Sequence, residues 1–329
     1  MSYSQDMTKM RFGILGAARI ASRALVPAIH NSSNAELVAV AARDGARARV
    51  FAKEHNIPVA LEGYEALLER DDIDAIYNPL PNDGHSPWSI RAMEAGKHVL
   101  CEKPVGMDAA EAANMLEVSK RTGKTLMEGF MWRFHPQVTR AKEIVDSGAI
   151  GDLRLIRTGF SFPLMDSGDI RWVKSMGGGG LLDLGCYNVN ASRLFAGREP
   201  TSVYGVADYS GTDVDLHFAG ILEFGEGLRG VMECSFGQPG RQHLELVGTK
   251  GTLEIDKFVL PENEIGTIRV NGKTETTVAA DKYQIMVEQF VRAARGEEPL
   301  AYDMQNAIGN MKVLDALAQS ARSEVKVTV

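Results

Sequence analysis

The sequence predicts two domains: an α/β domain on a doubly wound parallel sheet, then an α+β domain with a large, mostly antiparallel open sheet. Three observations carry this. At 329 residues the chain exceeds what one hydrophobic core usually supports. As far as Met127, short apolar runs alternate with helical patterns, as they do in a parallel sheet covered by helices. Beyond Gly148, strand candidates follow one another through short loops, as they do in an antiparallel sheet. The boundary is drawn between residues 1–128 and 129–329.

In the first part Phe12–Leu15, Leu37–Ala42, Ala75–Tyr77, His98–Cys101 and Thr125–Met127 read as strands, each a compact apolar run. Ile20–Ile29, Ala46–His55, Tyr64–Leu68, Pro87–Ala95 and Ala109–Arg121 carry apolar residues at helical spacing. Right-handed crossovers through these helices make a Rossmann-type domain. In the second part the strands are Leu153–Phe162, Ser202–Tyr209, Leu216–Phe224, Leu228–Phe236, His243–Val247 and Thr252–Ile255. Helices over Leu181–Phe195, Tyr283–Ala294 and Asp303–Ala321 are expected to cover one face of that sheet. Alternation such as VMECSF, Val231 to Phe236, leaves apolar residues on the other face, which predicts a homodimer or homotetramer through the C-terminal sheet; long loops over that face are the alternative.

Composition narrows the function. A formal charge of −7 gives no general attraction to nucleic acid or an anionic membrane, so the expected partner is a small molecule. Cys101, Cys186 and Cys234 are scattered and odd in number, which argues against a disulfide framework and suits a reducing cytoplasm. No Cys or His spacing suggests zinc. The opening MSYSQDMTKM lacks the apolar core of a secretory signal and reads as a frayed N-terminus; no run approaches the roughly 20 apolar residues that span a bilayer.

The first strand runs into Gly16-Ala17-Ala18-Arg19-Ile20-Ala21 and a helical pattern, a G-x-G-x-x-G/A turn whose second glycine is replaced by Ala18. Placed at the first βα unit, this turn predicts dinucleotide binding, with Gly16, Ala17, Ala18, Arg19 and Ile20 lining the phosphates at a helix N-terminus. The second strand ends Ala42-Arg43-Asp44. Arginine here accepts the 2′-phosphate of NADP, whereas an acidic residue bonds the ribose of NAD, so Arg43 favours NADP and Asp44 leaves NAD open.

Lys103 stands between Glu102 and Pro104 at the end of a buried strand, and Asp183 and Tyr187 lie four apart on one helix face behind the glycines of GGGGLLDLGCYNVN. The glycine run reads as permitting close approach of a ligand. Oxidising an alcohol moves hydride to a nicotinamide and sheds a proton, which needs an acceptor beside the hydroxyl. Lysine and tyrosine titrate at about 10.4 and about 10, so a positive neighbour or burial has to lower one of them.

Together RFGILGAARIA, Arg11 to Ala21, and YNPLPNDGH…AGKHVLCEKP, Tyr77 to Pro104, resemble the glucose–fructose oxidoreductase/inositol dehydrogenase (Gfo/Idh/MocA) family of nicotinamide-dependent sugar and polyol oxidoreductases. The Asp183-x-x-x-Tyr187 pattern is similar to the tyrosine-bearing subgroup of glucose–fructose oxidoreductase, dimeric dihydrodiol dehydrogenase, NADP-dependent xylose dehydrogenase and keto-sugar reductases. The resemblance implies that Tyr187 donates or accepts the proton, that Lys103 lowers its pKa and bonds the substrate oxygen, and that Asp183 orients a sugar hydroxyl, with the Lys103 and Tyr187 roles exchangeable. It further implies a cis peptide before Pro104, a structural or ribose-contacting Glu102, and cofactor contacts from Leu80, Pro81, Asn82 and His85 after the third strand candidate. Arg171 and Trp172, in GDIRW, are implied as a phosphate or nicotinamide contact and a stacking wall; Trp132, Arg133 and His135 either border the active cleft or pack between domains. The expected function is an NADP-preferring (NAD possible) oxidoreductase of a sugar or cyclic polyol, aldose oxidation first and keto-sugar reduction or dihydrodiol oxidation second; a non-catalytic dinucleotide sensor is the rival of another class.

Overall fold

The computed structural model describes residues 9–209 and 211–329, so most of the expected frayed segment, residues 1–8, lies outside the described residues. Six strands form the first sheet: β1 (Met10–Leu15), β2 (Ala35–Ala42), β3 (Val59–Glu62), β4 (Ala75–Asn78), β5 (His98–Glu102) and β6 (Leu126–Gly129). Their order is β3-β2-β1-β4-β5-β6 and every pairing is parallel. Phe12, Ile14, Leu15, Ile76, Tyr77, Val99 and Leu100 are wholly buried, as strands covered by helices on both faces require. The expected doubly wound sheet is present, with β3 as an edge strand that the sequence pattern does not reveal. Val59–Glu62 is only half-buried and four residues long, too short to declare a period.

Nine strands form the second sheet: β7 (Leu153–Ser161), β8 (Ser202–Asp208), β9 (His217–Gly225), β10 (Leu228–Ser235), β11 (Arg241–Gly248), β12 (Thr252–Asp256), β13 (Thr267–Val270), β14 (Lys273–Thr276) and β15 (Val327–Thr328). The order is β14-β13-β12-β11-β7-β10-β9-β8-β15, and only the β7–β10 pair is parallel. Buried and exposed residues alternate along β9 and β10, so one face is covered and the other open. The covering helices are Cys186–Ala196 and Met304–Ser323. Gly205 lets the second of these come close, because a Cβ there would stand 2.8 Å from the Leu317 carbonyl oxygen.

The helix Lys282–Ala294 departs from expectation. Tyr283–Met304 belongs to the compact unit of the parallel sheet, with Met1–Val105 and Ala113–Phe130, while Gly106–Ala112, Met131–Lys282 and Gln305–Val329 make the other unit. The Phe290 ring lies 5.9 Å from that of Phe12 in β1, and Asn34 Nδ2 donates to the Glu288 carbonyl at 3.0 Å. Periodicity shows that a helix has an apolar stripe without showing which sheet the stripe covers. Replacing Phe290 with alanine is expected to cost about 3–5 kcal/mol of stability, read from urea denaturation. A loss below about 1 kcal/mol would contradict this packing.

Candidate active site

In the first unit the carboxyl ends of the parallel strands present the residues singled out above. Gly16 follows β1 with φ +85°, its N–H donating to the Ala41 carbonyl at 2.7 Å. The positive φ favours glycine here, and a Cβ would also press on Leu80 Cδ2 at 3.1 Å, with the Tyr64 hydroxyl 3.7 Å away. Ala17 and Ala18 are half-buried, Arg19 and Ile20 exposed, and the helical segment starts at Ala21. The turn thus offers backbone at a helix start, which fits a dinucleotide phosphate.

Arg43 is exposed immediately after β2. Asp44 caps the next helix, Gly45–Glu54, one carboxylate oxygen accepting from Ala46 N at 2.8 Å and Arg47 N at 3.4 Å. Burial raises the Tyr64 phenol above its ordinary pKa, opposed by the nearby guanidiniums of Arg43 and Arg47. Gly16, Arg43, Arg47, Tyr64 and Leu80 therefore form one group with a cationic side, and the chemistry of these donors fits a phosphate-bearing ribose. Sequence reasoning missed Tyr64 and Arg47; Tyr64 reads as the first residue of a short helical stripe, with no local mark of its proximity to Gly16.

The segment Leu80-Pro81-Asn82 follows β4, the fourth strand, and is half-buried. Asn78 organises it: its side-chain amide donates to the carbonyls of Gly84 at 3.3 Å and His85 at 3.1 Å and to Ser89 Oγ at 3.1 Å, and its oxygen accepts from Leu80 N. His85, 1% exposed, has an internal partner, Nδ1 lying 2.7 Å from the Pro104 carbonyl, and burial pushes the imidazole down to about 4. A neutral ring facing a carbonyl carries its proton on Nδ1 and donates it. The Lys103–Pro104 peptide is cis. Tyr77 donates its hydroxyl to Glu102 Oε1 at 2.7 Å, holding that buried carboxylate at the end of β5, and Lys103 follows, half-buried.

In the second unit, the helical stretch that starts at Leu181 and continues through Ala196 carries Asp183 and Tyr187. Arg171 Nε donates to Asp183 Oδ2 at 2.6 Å and Arg171 Nη1 to Asp169 Oδ1 at 3.2 Å; the Asp183 carboxylate is the main cause of a raised Arg171 pKa. Asp169 also caps the short Ile170–Trp172 turn by accepting from Arg171 N. Trp172 donates Nε1 to the Asp166 carbonyl and meets Phe236 edge-on at 5.7 Å. Tyr187 is buried, with Phe160 edge-on at 5.6 Å and Met131 Sδ 3.7 Å from its hydroxyl.

Two groups of residues singled out above have close partners within the second unit. The glycine run fits its own neighbours: a Cβ on Gly178 would meet the Arg171 carbonyl at 2.4 Å, and one on Gly179 (φ +114°) would meet Asp215 Oδ1. Trp132, Arg133 and His135 pack inside the second unit. Trp132 Nε1 and Arg133 Nε both donate to Asn190 Oδ1, and His135 caps Pro136–Asp146 while Nε2 meets the Glu264 carbonyl. Among the described residues no group of three or more His, Cys, Asp or Glu could hold a metal, and the three cysteines are free and buried.

Residues 10–130 match the oxidoreductase family with an NAD-binding Rossmann fold, and residues 138–254 match the GFO/IDH/MocA C-terminal domain. The chain belongs to the Gfo/Idh/MocA family. It is an oxidoreductase, as the sequence motifs predict. This family member is 39% identical to D-xylose 1-dehydrogenase (NADP(+)) 2 of Haloferax volcanii over 97% of its own length and 99% of that protein. A 3-ketoreductase from Actinomadura kijaniata, solved in complex with NADP and TDP-benzene, superposes with TM-score 0.89 at 31% identity, covering 95% of this chain and 98% of that one. Aldose-aldose oxidoreductase from Caulobacter crescentus, complexed with glycerol, gives TM-score 0.90 at 25% identity, covering 98% and 100%.

Burial pushes the Asp215 carboxyl up to about 6 against an ordinary 3.8, opposed by backbone N–H groups of Leu181, Asp215 and Gly180. The folded value lies above the unfolded one, so the unfolded chain releases this proton first and stability falls as pH rises from about 4 to about 6. Asp215→Asn lacks that loss. Its stability relative to the parent is expected to rise across this window and then level off, in urea denaturation at stepped pH; a flat or falling difference would contradict the burial of the charge.

Proposed function

We propose that this Gfo/Idh/MocA oxidoreductase prefers NADP and oxidises a CH–OH group of an aldose or related cyclic polyol, with Lys103 and Tyr187 handling the proton. The observation that carries the cofactor preference is the division of labour after β2. Asp44 is engaged as a helix cap while Arg43, with Arg47 close to the same Tyr64 hydroxyl, leaves guanidinium donors for a 2′-phosphate. Gly16, Ala17, Ala18, Arg19 and Ile20 hold the pyrophosphate, Leu80, Pro81 and Asn82 the remaining ribose and nicotinamide half, and His85 supports them through Pro104. Residues 1–128, joined by Tyr283–Met304, serve as the dinucleotide-binding domain, and the remainder of 129–329 as the substrate-binding and oligomerisation domain.

When bound, NADP supplies the hydride acceptor for the carbon being oxidised. The chain supplies the rest. Tyr187 takes the hydroxyl proton as the C–H bond breaks, the Lys103 ammonium favours the phenolate and bonds the substrate oxygen, and a carbonyl is left. Asp183, held by Arg171, accepts from a neighbouring sugar hydroxyl and fixes which carbon is presented. Run backwards, the same groups protonate a keto-sugar, and the likeness to the 3-ketoreductase supports that second reading.

The open face of the second sheet supports a homodimer or homotetramer. Tyr204, Ile221 and Val231 are exposed and directly opposite one another across β8, β9 and β10, a row of apolar side chains suited to self-association. Among the described residues no helix is long and apolar enough to cross a membrane, and three free thiols suit work in the cytoplasm.

Lys103→Ala and Tyr187→Phe are each expected to lower kcat about 100-fold or more while NADP affinity stays within about twofold. Reduced-nicotinamide absorbance with NADP and a panel of aldoses, inositols and dihydrodiols reads this, and near-normal turnover in both variants would remove the mechanism. NADP binding without turnover on any substrate would favour a sensor. Arg43→Ala is expected to weaken NADP about 10- to 100-fold and leave NAD nearly unchanged, as loss of a charge-assisted pair predicts; equal effects on both cofactors would contradict the assignment.

A further inference from the structure

We propose that Asp215 is a positioning residue for the reaction, setting the register of the helical stretch that presents Asp183 and Tyr187. Three observations within the second unit carry this. Asp215 Oδ2 accepts from Leu181 N at 2.6 Å, at the first residue of that stretch, and the Asp215 carbonyl accepts from Gly180 N at 2.9 Å. Two adjacent backbone donors at the helix start are thereby tied to one residue on the approach to β9. The fit is close from the other side too: a Cβ on Gly179 would fall onto Asp215 Oδ1, and one on Gly180 would lie 3.3 Å from Oδ2. The stretch is wound as a π-helix over Leu181–Gly185, and Asp183 N reaches back to the Gly179 carbonyl at 3.2 Å. Asp183 lies two residues beyond the anchored Leu181 and Tyr187 one further turn on, so a shift at the anchor moves both. Arg171 also holds Asp183 through an ion pair, and only a fixed starting point for the stretch lets that ion pair set a direction.

The inference rests on the role proposed for Tyr187, and a double-mutant cycle separates the two claims. Steady-state rates are measured with the full chain, NADP and D-xylose for Asp215→Ala, Asp215→Asn, Asp215→Glu, Tyr187→Phe and the Asp215→Ala/Tyr187→Phe pair. Asp215→Ala is expected to lower kcat about 10- to 100-fold with the KM for NADP within about twofold. Asp215→Asn keeps an oxygen that accepts from Leu181 N and is expected to retain most of kcat. Asp215→Glu keeps the charge, moves it by one methylene, and is expected to fall with alanine, which preserves the test if the alanine variant does not fold. In the Tyr187→Phe background, Asp215→Ala is expected to cost a smaller fraction of kcat than in the parent, the remaining loss being its effect through Asp183. A purely structural residue would give the same fractional loss in both backgrounds, and that additivity would overturn the proposal, as would full kcat in Asp215→Ala or Asp215→Glu. Full activity in Tyr187→Phe alone would overturn the catalytic reading and this inference with it; loss there with none in Asp215→Ala would overturn only the inference.

Discussion

Parallel strand direction is the constraint on which the first unit depends. In a parallel sheet every strand leaves its carboxyl end on the same edge, so residues far apart in sequence arrive side by side without needing direct contacts to gather them. Gly16 follows β1, Arg43 follows β2, Asn78 ends β4 and Lys103 follows β5. The strand order runs outward in both directions from the β1–β4 pair, which is where a sheet of this kind opens for a ligand. Buried polar contacts then fix the details: Asn78 shapes the loop after β4, Tyr77 holds Glu102, and His85 fastens the Pro104 carbonyl. Of these residues, His85 and Glu102 are the ones the resemblance implies as cofactor contacts, and each has an internal partner.

The second unit solves a different problem, presenting a carboxylate and a phenol at defined positions on one helical stretch. Its start is tied to Asp215 and its first turn is bridged to the Asp166–Trp172 loop through Arg171. The Arg171–Asp183 pair gives the carboxylate a cationic partner, which suits a group that accepts a hydroxyl hydrogen bond better than one that cycles a proton. The aromatic residues Phe160, Phe162, Phe236 and Trp172 touch one another in a chain that begins at the Tyr187 ring.

Much of this was legible in the sequence because it is local. Strands β1, β2 and β4 to β12 announce themselves by apolar runs, and the Gly16 turn, Arg43, Lys103 and the Asp183–Tyr187 spacing are read from residues within a few positions of one another. What was not legible is long-range. The helix Lys282–Ala294 has an amphipathic pattern that fits either sheet, and only folding assigns it to the first. The contact of Tyr64 with Gly16 and the anchoring of Leu181 by Asp215 join residues 48 and 34 positions apart with no motif between them. The hairpin β13–β14 is a different case, since Asn271-Gly272, both at positive φ, is a strong turn signal within the sequence itself.

The central claim, that the carbon of a sugar CH–OH group gives its hydride to a nicotinamide held at the carboxyl edge of the parallel sheet, is tested most directly by isotope transfer. Aldoses deuterated at the oxidised carbon would be incubated with the chain and NADP, and the reduced cofactor weighed by mass spectrometry. The account predicts reduced cofactor heavier by one deuterium, formed more slowly than from unlabelled sugar when hydride transfer limits the rate. Reduced cofactor without the label, or none formed from any aldose or polyol, would contradict it.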